Sequence, residues 1–224
     1  MMVLLDTANL DEICNAIDLY PIDGVTTNPT ILVKEKKHFL NHIKEIKSLI
    51  GNERMIHVQI VGTKYQDIID EAYYISENIG GNVYIKIPVM PEGIKAMKYL
   101  SEKNIKVTAT AVFTSQQAII AAKAGAKFVA PYINRIDNIS SSGIDVVSEI
   151  AKMYKMFGLD TKILAASFKN VDQVKKAFLA GSDSVTISYD ILEHMVYHPS
   201  TVESVNQFIK DWKELYGDTK TNSL

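Results

Sequence analysis

The chain has 224 residues, is 47% hydrophobic and carries a formal net charge of −2 at pH 7. This length and composition can bury one sizeable core, so a single domain over 1–224 is predicted. No block of Lys and Arg dominates any segment, which argues against a nucleic-acid or anionic-membrane partner and favours a small molecule.

The single cysteine, Cys14, excludes an intramolecular disulfide and gives no sign of an oxidising compartment. The first residues show neither a basic segment nor a cleavage site, so no signal peptide is predicted. No run approaches the roughly 20 apolar residues that cross a bilayer. We therefore expect a cytoplasmic protein without a membrane partner.

Short apolar runs rich in Val and Ile recur, and each is followed by a segment of helical periodicity, the pattern of βα units in a parallel sheet. The eight runs are 3–6, 24–28, 55–60, 83–88, 106–111, 128–132, 162–167 and 184–188. Eight units in one domain predict a closed (β/α)₈ TIM barrel, and no Gly-rich dinucleotide-binding or Walker sequence competes with that interpretation.

A further helix is predicted over about 201–216, with a solvated tail over 217–224. Its broad apolar stripe includes Val205, Phe208 and Trp212 and must be buried somewhere. Packing across its own barrel and packing on a neighbouring subunit are both open.

Polar residues at the ends of the predicted strands are the candidate site, because a barrel of this kind places catalysis at the C-terminal ends of its strands. In chain order they are Asp6, Thr26, Asn28, Gln59, Lys86, Thr110, Tyr132, Arg135, Ser167 and Lys169. Seven consecutive strands contribute, which is hard to ascribe to chance since core strands bury polar groups only where something compensates them.

Lys86 lies in a run whose alternation sends Tyr84, Lys86 and Pro88 to one face of the strand. An interior lysine is predicted, and desolvation there would lower its pKa and supply the neutral amine that attacks a carbonyl. The competing interpretation is a lysine that extends from the strand end into solvent.

Asp6 and Asn28 each have a catalytic and a structural interpretation. The Asp6 carboxylate can bind a substrate hydroxyl or transfer a proton, yet Asp6 also precedes a helix that it could cap. Asn28 precedes Pro29 and resembles an N-cap with proline at the first helical position, a role compatible with a place in the site.

Gln59, Thr110 and Tyr132 are neutral polar groups that together could hold one water molecule, with the phenol passing the proton. They could instead form a buried structural cluster. Arg135 and Lys169 are cations that can face a phosphate, with the Ser167 hydroxyl as an additional donor. A phosphorylated substrate is therefore expected.

Metal catalysis requires convergent His or carboxylate ligands, and the histidines do not converge in the sequence. Two pairs at helical spacing, His38 with His42 and His194 with His198, have no evident third ligand. His57 is interpreted as a satisfied core residue. No metal and no cofactor are expected.

Five segments together resemble the small transaldolase family, and within it the fructose-6-phosphate aldolases, over nearly the whole chain. They are LDTAN at 5–9, GVTTNP at 24–29, YIKIP at 84–88, APYINRID at 130–137 and AASFK at 165–169. The resemblance implies a Schiff-base lysine at Lys86, with Asp6 and Asn28 in the active site. It also implies Arg135, Ser167 and Lys169 near the phosphate, and a homodecamer of two five-membered rings whose C-terminal helix crosses a subunit boundary.

Gln59 and Tyr132 match the aldolase pattern, where transaldolases of this size typically carry Glu and Phe, and Ala130 and Lys169 agree. His57 and Phe113 depart from it. The resemblance thus implies reversible cleavage of fructose 6-phosphate to dihydroxyacetone and glyceraldehyde 3-phosphate. The alternatives are a transaldolase that transfers the three-carbon unit to an aldose phosphate such as erythrose 4-phosphate, and a barrel that binds a sugar phosphate without turnover.

Overall fold

The computed structural model describes residues 1–223, and its eight strands form a closed parallel barrel in chain order, as predicted. The strands are β1 Met2–Asp6, β2 Gly24–Thr26, β3 Met55–Gln59, β4 Val83–Pro88, β5 Val107–Val112, β6 Phe128–Pro131, β7 Lys162–Ala165 and β8 Ser184–Ile187. Several predicted runs extend one or two residues too far, because the chain leaves the ladder there: Asn28 caps a helix and Ser167 has a left-handed φ of 64°.

Helices alternate with the strands and cover the outside of the barrel. They are α1 Leu10–Leu19, α2 Pro29–Leu32, α3 Phe39–Ile50, α4 Tyr65–Ile79, α5 Pro91–Glu102, α6 Ser115–Lys123, α7 Ile133–Asp137, α8 Gly143–Phe157, α9 Val171–Leu179, α10 Tyr189–Val196 and α11 Pro199–Tyr216. Short 3₁₀ turns occupy Val33–Glu35 and Thr221–Ser223. Within residues 1–223, no helix has the length and apolar character that a bilayer crossing requires.

Strand β4 shows how the alternation builds both the core and the site. Val83, Ile85 and Ile87 are buried in the main hydrophobic cluster, each contributing about 1.5–3 kcal/mol on burial. The intervening residues, Tyr84 and Lys86, point to the opposite face. The predicted interior position of Lys86 follows from this alternation.

An aromatic cluster fills the barrel one layer below Lys86. The His57 ring stacks on Tyr84 with centroids 4.6 Å apart, and Phe128 meets both rings edge-on. His57 is fully buried as expected, but it is only half satisfied: Nδ1 lies 2.8 Å from Thr108 Oγ1, while Nε2 has no partner within residues 1–223. The expectation of a satisfied histidine was therefore wrong, and burial lowers the pKa of this imidazole well below its ordinary value, with the Lys86 charge contributing.

Helix α11 begins two residues before its predicted start and has no buried residue. Phe208 is 67% exposed, and Val205 and Ile209 on the same stripe are also exposed. Trp212 stacks on Tyr216, and its Nε1 donates to the Thr219 carbonyl at 2.7 Å, which gives the start of the predicted tail an ordered contact. The tail's last residue, 224, lies outside the described residues. The stripe is thus not buried against its own barrel.

Candidate active site

A cavity of about 400 Å³ opens at the C-terminal ends of the strands, where barrel enzymes place their chemistry. Every predicted site residue except Gln59 lines it. Those residues are Asp6, Thr26, Asn28, Lys86, Thr110, Tyr132, Arg135, Ser167 and Lys169. Residues from six different strand ends therefore reach one space.

The Lys86 amine lies at the floor of this cavity, with only 6% of the residue exposed. Burial lowers the pKa of Lys86 because it disfavours the ammonium; the Asp6 carboxylate opposes this shift and the Arg135 charge adds to it. The alternative of a lysine extending into solvent is excluded by this burial.

Lys86 Nζ donates a hydrogen bond to the main-chain carbonyl of Thr27 at 2.7 Å. A neutral amine can donate this bond and still present its lone pair, whereas an ammonium has no lone pair to offer a ketone. The bond therefore orients the amine without blocking its nucleophilic form.

Asp6 belongs to a chain of hydroxyls at the ends of β1, β2 and β8. Thr26 Oγ1 donates to Asp6 Oδ1 at 2.6 Å and lies 2.7 Å from Thr186 Oγ1. Since the single Thr26 hydroxyl proton is given to Asp6, Thr186 must be the donor in the second bond. The arrangement fixes one carboxylate oxygen and leaves Oδ2 for a substrate hydroxyl. Asp6 does not cap α1, because Asn9 does so.

Asn28 has the double role that the sequence left open. Its Oδ1 accepts from the Ile31 backbone N–H at 3.0 Å as the N-cap of α2, with Pro29 at the first helical position. The cap uses the carbonyl end of the side chain. The amide NH₂ end therefore can donate to a substrate hydroxyl in the cavity that Asn28 lines.

Tyr132 and Thr110 form a hydroxyl pair on the wall next to Lys86, with Tyr132 Oη 2.9 Å from Thr110 Oγ1. Strand β5 shifts register between Ala109 and Val112, and Ala111 has a positive φ of 53°. A bulge of this kind bends the strand and re-aims its side chains beside a site. Phe113 packs edge-on against the Tyr132 ring, with centroids 5.8 Å apart, and helps to fix its orientation.

Gln59 lies apart from the residues with which it was grouped. It is paired in register with Lys86 across β3 and β4, but it lines an adjoining apolar groove of about 410 Å³. Its Oε1 is buried and has no hydrogen-bond partner within residues 1–223. Of the three residues predicted to hold a water molecule, Thr110 and Tyr132 contact each other in the cavity, whereas Gln59 lines the adjoining groove.

Arg135 and Lys169 stand exposed at the rim of the cavity. No ion pair found within residues 1–223 involves either cation, and Asp6 is the carboxylate among the lining residues. The Arg135 guanidinium lies over the Tyr132 ring, 4.5 Å from its centroid, which holds it toward the cavity. An anionic group of a substrate would meet unpaired positive charge here.

Sequence reasoning missed four polar residues of the cavity wall, Thr30, Lys34, Asn134 and Thr186. Thr186 ends β8 and could have been found by completing the inspection of strand ends. Lys34 and Asn134 lie in the segments after their strands, where only the folded loop shows which side chains turn inward.

The part of the chain that the structure describes contains no group of three or more His, Cys, Asp or Glu side chains placed to hold a metal ion. His42 is buried instead against the end of β1, where Nε2 lies 2.7 Å from the Ala8 carbonyl. The side chains gathered around Lys86 suit amine chemistry on a polar, anionic carbonyl compound.

Comparison with known proteins shows the family to which the chain is similar. The model of the family described as Transaldolase/Fructose-6-phosphate aldolase matches residues 3–220. Similar proteins named "Probable transaldolase" occur in Dictyoglomus turgidum (44% identity over 96% of this chain and 99% of the relative) and Petrotoga mobilis (42% over 96% of each). Another with that name, from Thermoplasma volcanium, is 40% identical over 98% of this chain and 99% of its own length.

Proposed function

The chain belongs to the transaldolase/fructose-6-phosphate aldolase family of enzymes, and from that premise we propose that it is a class I aldolase acting on fructose 6-phosphate. The observation that carries the proposal is the buried Lys86 amine in one cavity with Asp6 and the Tyr132 phenol. A barrel that merely binds a sugar phosphate is disfavoured by membership of an enzyme family.

The cycle begins when the neutral Lys86 amine attacks the C2 ketone of the open-chain sugar. The resulting carbinolamine loses water to give a protonated imine, whose C=N⁺ bond can accept the electron pair of the bond to be broken. The new C–N bond replaces the C–O bond, and the ketone oxygen leaves as water with one proton from the amine and one taken up from solvent, whose charge stays on the imine nitrogen.

Cleavage of the C3–C4 bond requires the C4 hydroxyl to lose its proton. Asp6 is the carboxylate of the cavity wall, and its Oδ2 is left open by the Thr26 bond to Oδ1, so we assign it as the base. Glyceraldehyde 3-phosphate departs, and the bonding electrons convert the imine to an enamine.

Release of dihydroxyacetone requires a proton at C3 of the enamine and then water at C2. The Tyr132 and Thr110 hydroxyls, 2.9 Å apart, can hold a water molecule and pass this proton. Hydrolysis of the imine then frees dihydroxyacetone and restores the amine. Synthesis follows the same steps in reverse.

A product assay tests the proposal. With fructose 6-phosphate alone, we expect free dihydroxyacetone and glyceraldehyde 3-phosphate in equal amounts. Borohydride added during turnover should leave a covalent three-carbon or six-carbon adduct on Lys86. Lack of any adduct under conditions where substrate is consumed would contradict the Schiff-base mechanism.

Transaldolase activity is the second candidate, and two observations favour it. The similar proteins carry the name "Probable transaldolase", and Gln59 lines the adjoining groove instead of completing the water site. A transaldolase would release little dihydroxyacetone until erythrose 4-phosphate is added, and would then form a seven-carbon ketose phosphate. The same assay, with and without acceptor, separates the two activities.

The pH dependence of imine formation should respond in opposite directions to loss of the two charges that act on Lys86. Arg135 lowers the pKa of Lys86, so Arg135→Ala should move the ascending limb of the rate to higher pH. Asp6 raises that pKa, so Asp6→Asn should move the limb to lower pH. The initial rate of cyanoborohydride trapping with unphosphorylated dihydroxyacetone measures both; shifts in the same direction would contradict this account.

We also propose that the protein forms a homo-oligomer, a homodecamer of two five-membered rings as the family resemblance implies, with α11 crossing a subunit boundary. This 18-residue helix has no buried residue, yet its apolar stripe includes Phe208, which is 67% exposed. A second copy of the chain would remove that surface from water.

Phe208→Glu should weaken the assembly roughly 30-fold or more, since a charge would enter the apolar centre of the contact. Analytical ultracentrifugation should then show smaller species at concentrations where the unmodified chain is assembled. Lys210→Gln changes the net charge equally on the opposite face of α11 and should leave the assembly intact. A monomeric unmodified chain would refute the proposal.

A further inference from the structure

Lys34 lines the active-site cavity although it lies beyond α2, eight residues after the last residue of β2. It lies in the 3₁₀ turn Val33–Glu35 that continues α2, and it is exposed. No ion pair found within residues 1–223 involves its amine. None of the catalytic steps proposed for this site uses the Lys34 cation.

The barrel topology places Lys34 opposite Arg135. Lys34 follows β2 and Arg135 follows β6, which are four strands apart in a closed ring of eight. Lys86 on β4 stands midway between them. The interior of an eight-stranded barrel is just wide enough for side chains to fill, so long side chains from opposite walls can reach the same central space.

The charges of the cavity are unbalanced above its floor. Lys34, Arg135 and Lys169 are the rim cations, while the lining carboxylate, Asp6, is engaged with Thr26 at the strand ends. A phosphate monoester carries about −1.5 to −2 charge at pH 7. Three unpaired cations around one opening can bind such a phosphate group.

We propose that Lys34 is a specificity-determining residue that binds the terminal phosphate of the sugar from the wall opposite Arg135. The inference rests on the proposed function, since it concerns the aldehyde half of the same substrate. Contact from two sides would fix the phosphate over the cavity and so place the carbon chain against Lys86.

The type of cation at each wall suggests a division of tasks. Arg135 is held over the Tyr132 ring and presents a planar fork with a fixed direction. Lys34 is a point charge on a flexible stem. It can therefore follow a phosphate whose position changes by one carbon, as between glyceraldehyde 3-phosphate and erythrose 4-phosphate.

The test compares phosphorylated and unphosphorylated acceptors in condensation with dihydroxyacetone. Lys34→Gln should raise the KM for glyceraldehyde 3-phosphate about tenfold, equivalent to about 1.4 kcal/mol, and leave the KM for glyceraldehyde unchanged. Lys34→Arg should keep most of the affinity because it keeps the charge. Lys44→Gln, at an exposed lysine of α3, should match the unmodified enzyme with both acceptors.

Ionic strength gives an independent measurement. The preference of the unmodified enzyme for the phosphorylated acceptor should fall as salt is raised, and Lys34→Gln should flatten that dependence. Equal effects of Lys34→Gln on both acceptors, or a loss in Lys34→Arg as large as in Lys34→Gln, would overturn the inference.

The proposed aldolase activity and the proposed phosphate role of Lys34 can be refuted separately. An unmodified enzyme that neither condenses dihydroxyacetone nor forms a borohydride adduct on Lys86 would refute the proposed aldolase. If the unmodified enzyme condenses dihydroxyacetone and forms the borohydride adduct, but Lys34→Gln leaves the KM of the phosphorylated acceptor unchanged, only the phosphate role of Lys34 is refuted.

Discussion

Lys86→Met should abolish turnover, with a loss on the order of 10⁴-fold or more, and should remove the borohydride adduct completely. Methionine keeps much of the side-chain volume but has no amine, so no imine can form. Because an apolar group replaces a buried amine that is costly to keep away from water, we expect the melting temperature to be unchanged or higher. Steady-state assays, mass spectrometry of the trapped protein and thermal unfolding measure these three results.

Lys47→Met is the matched control. Lys47 is also a buried lysine, 8% exposed, and burial likewise lowers the pKa of its amine. It lies on α3, where Nζ donates to the Gly51 carbonyl at 2.9 Å. This variant should keep its activity and its adduct. An adduct that persists in Lys86→Met would place the Schiff base on another lysine.

Tyr132→Phe should change the products as well as the rate. Without the phenol the enamine is protonated slowly, so release of free dihydroxyacetone should fall about 10²-fold. Transfer of the three-carbon unit to erythrose 4-phosphate needs no such proton and should be largely retained. The ratio of transfer to release, measured from one mixture by chromatography, should therefore rise.

Tyr84→Phe controls for loss of a phenol inside the barrel, because Tyr84 lies two residues before Lys86 on the same face of β4. It should leave the product ratio unchanged. Tyr132→Phe also leaves Thr110 Oγ1 without its partner, at a cost of about 1 kcal/mol in the free energy of unfolding. If transfer and release fall by the same factor, Tyr132 has no selective role in protonation.

Strand alternation was sufficient to predict the barrel and the interior position of Lys86, because side chains in a strand must alternate whatever the loops do. It was also sufficient to bring Asp6, Thr26 and Tyr132 to one rim. Alternation placed Thr110 of β5 correctly but does not predict the bulge between Ala109 and Val112, which depends on how two strands pair and leaves no periodic signal.

Two other misses arise from contacts that form only on folding. The sequence grouped Gln59 with the water site, yet its side chain reaches the groove beside α4, where Glu71 and Tyr74 lie. Lys34 was passed over because it lies in a turn after α2, and nothing in the local sequence indicates that this turn bends back over the barrel. Chain order alone cannot show either contact.

The hydrogen bond between Lys86 and the Thr27 carbonyl has a consequence for the reaction intermediates. When the amine becomes a protonated imine, one N–H remains on nitrogen, and the Thr27 oxygen can keep accepting it. A carbonyl dipole aimed at that nitrogen interacts more favourably with the cationic adduct than with the neutral amine that attacks the ketone. The Thr27 carbonyl would thus stabilise the iminium when carbon–carbon cleavage needs an electron acceptor. Because this carbonyl belongs to the main chain, replacing the Thr27 side chain would not remove it.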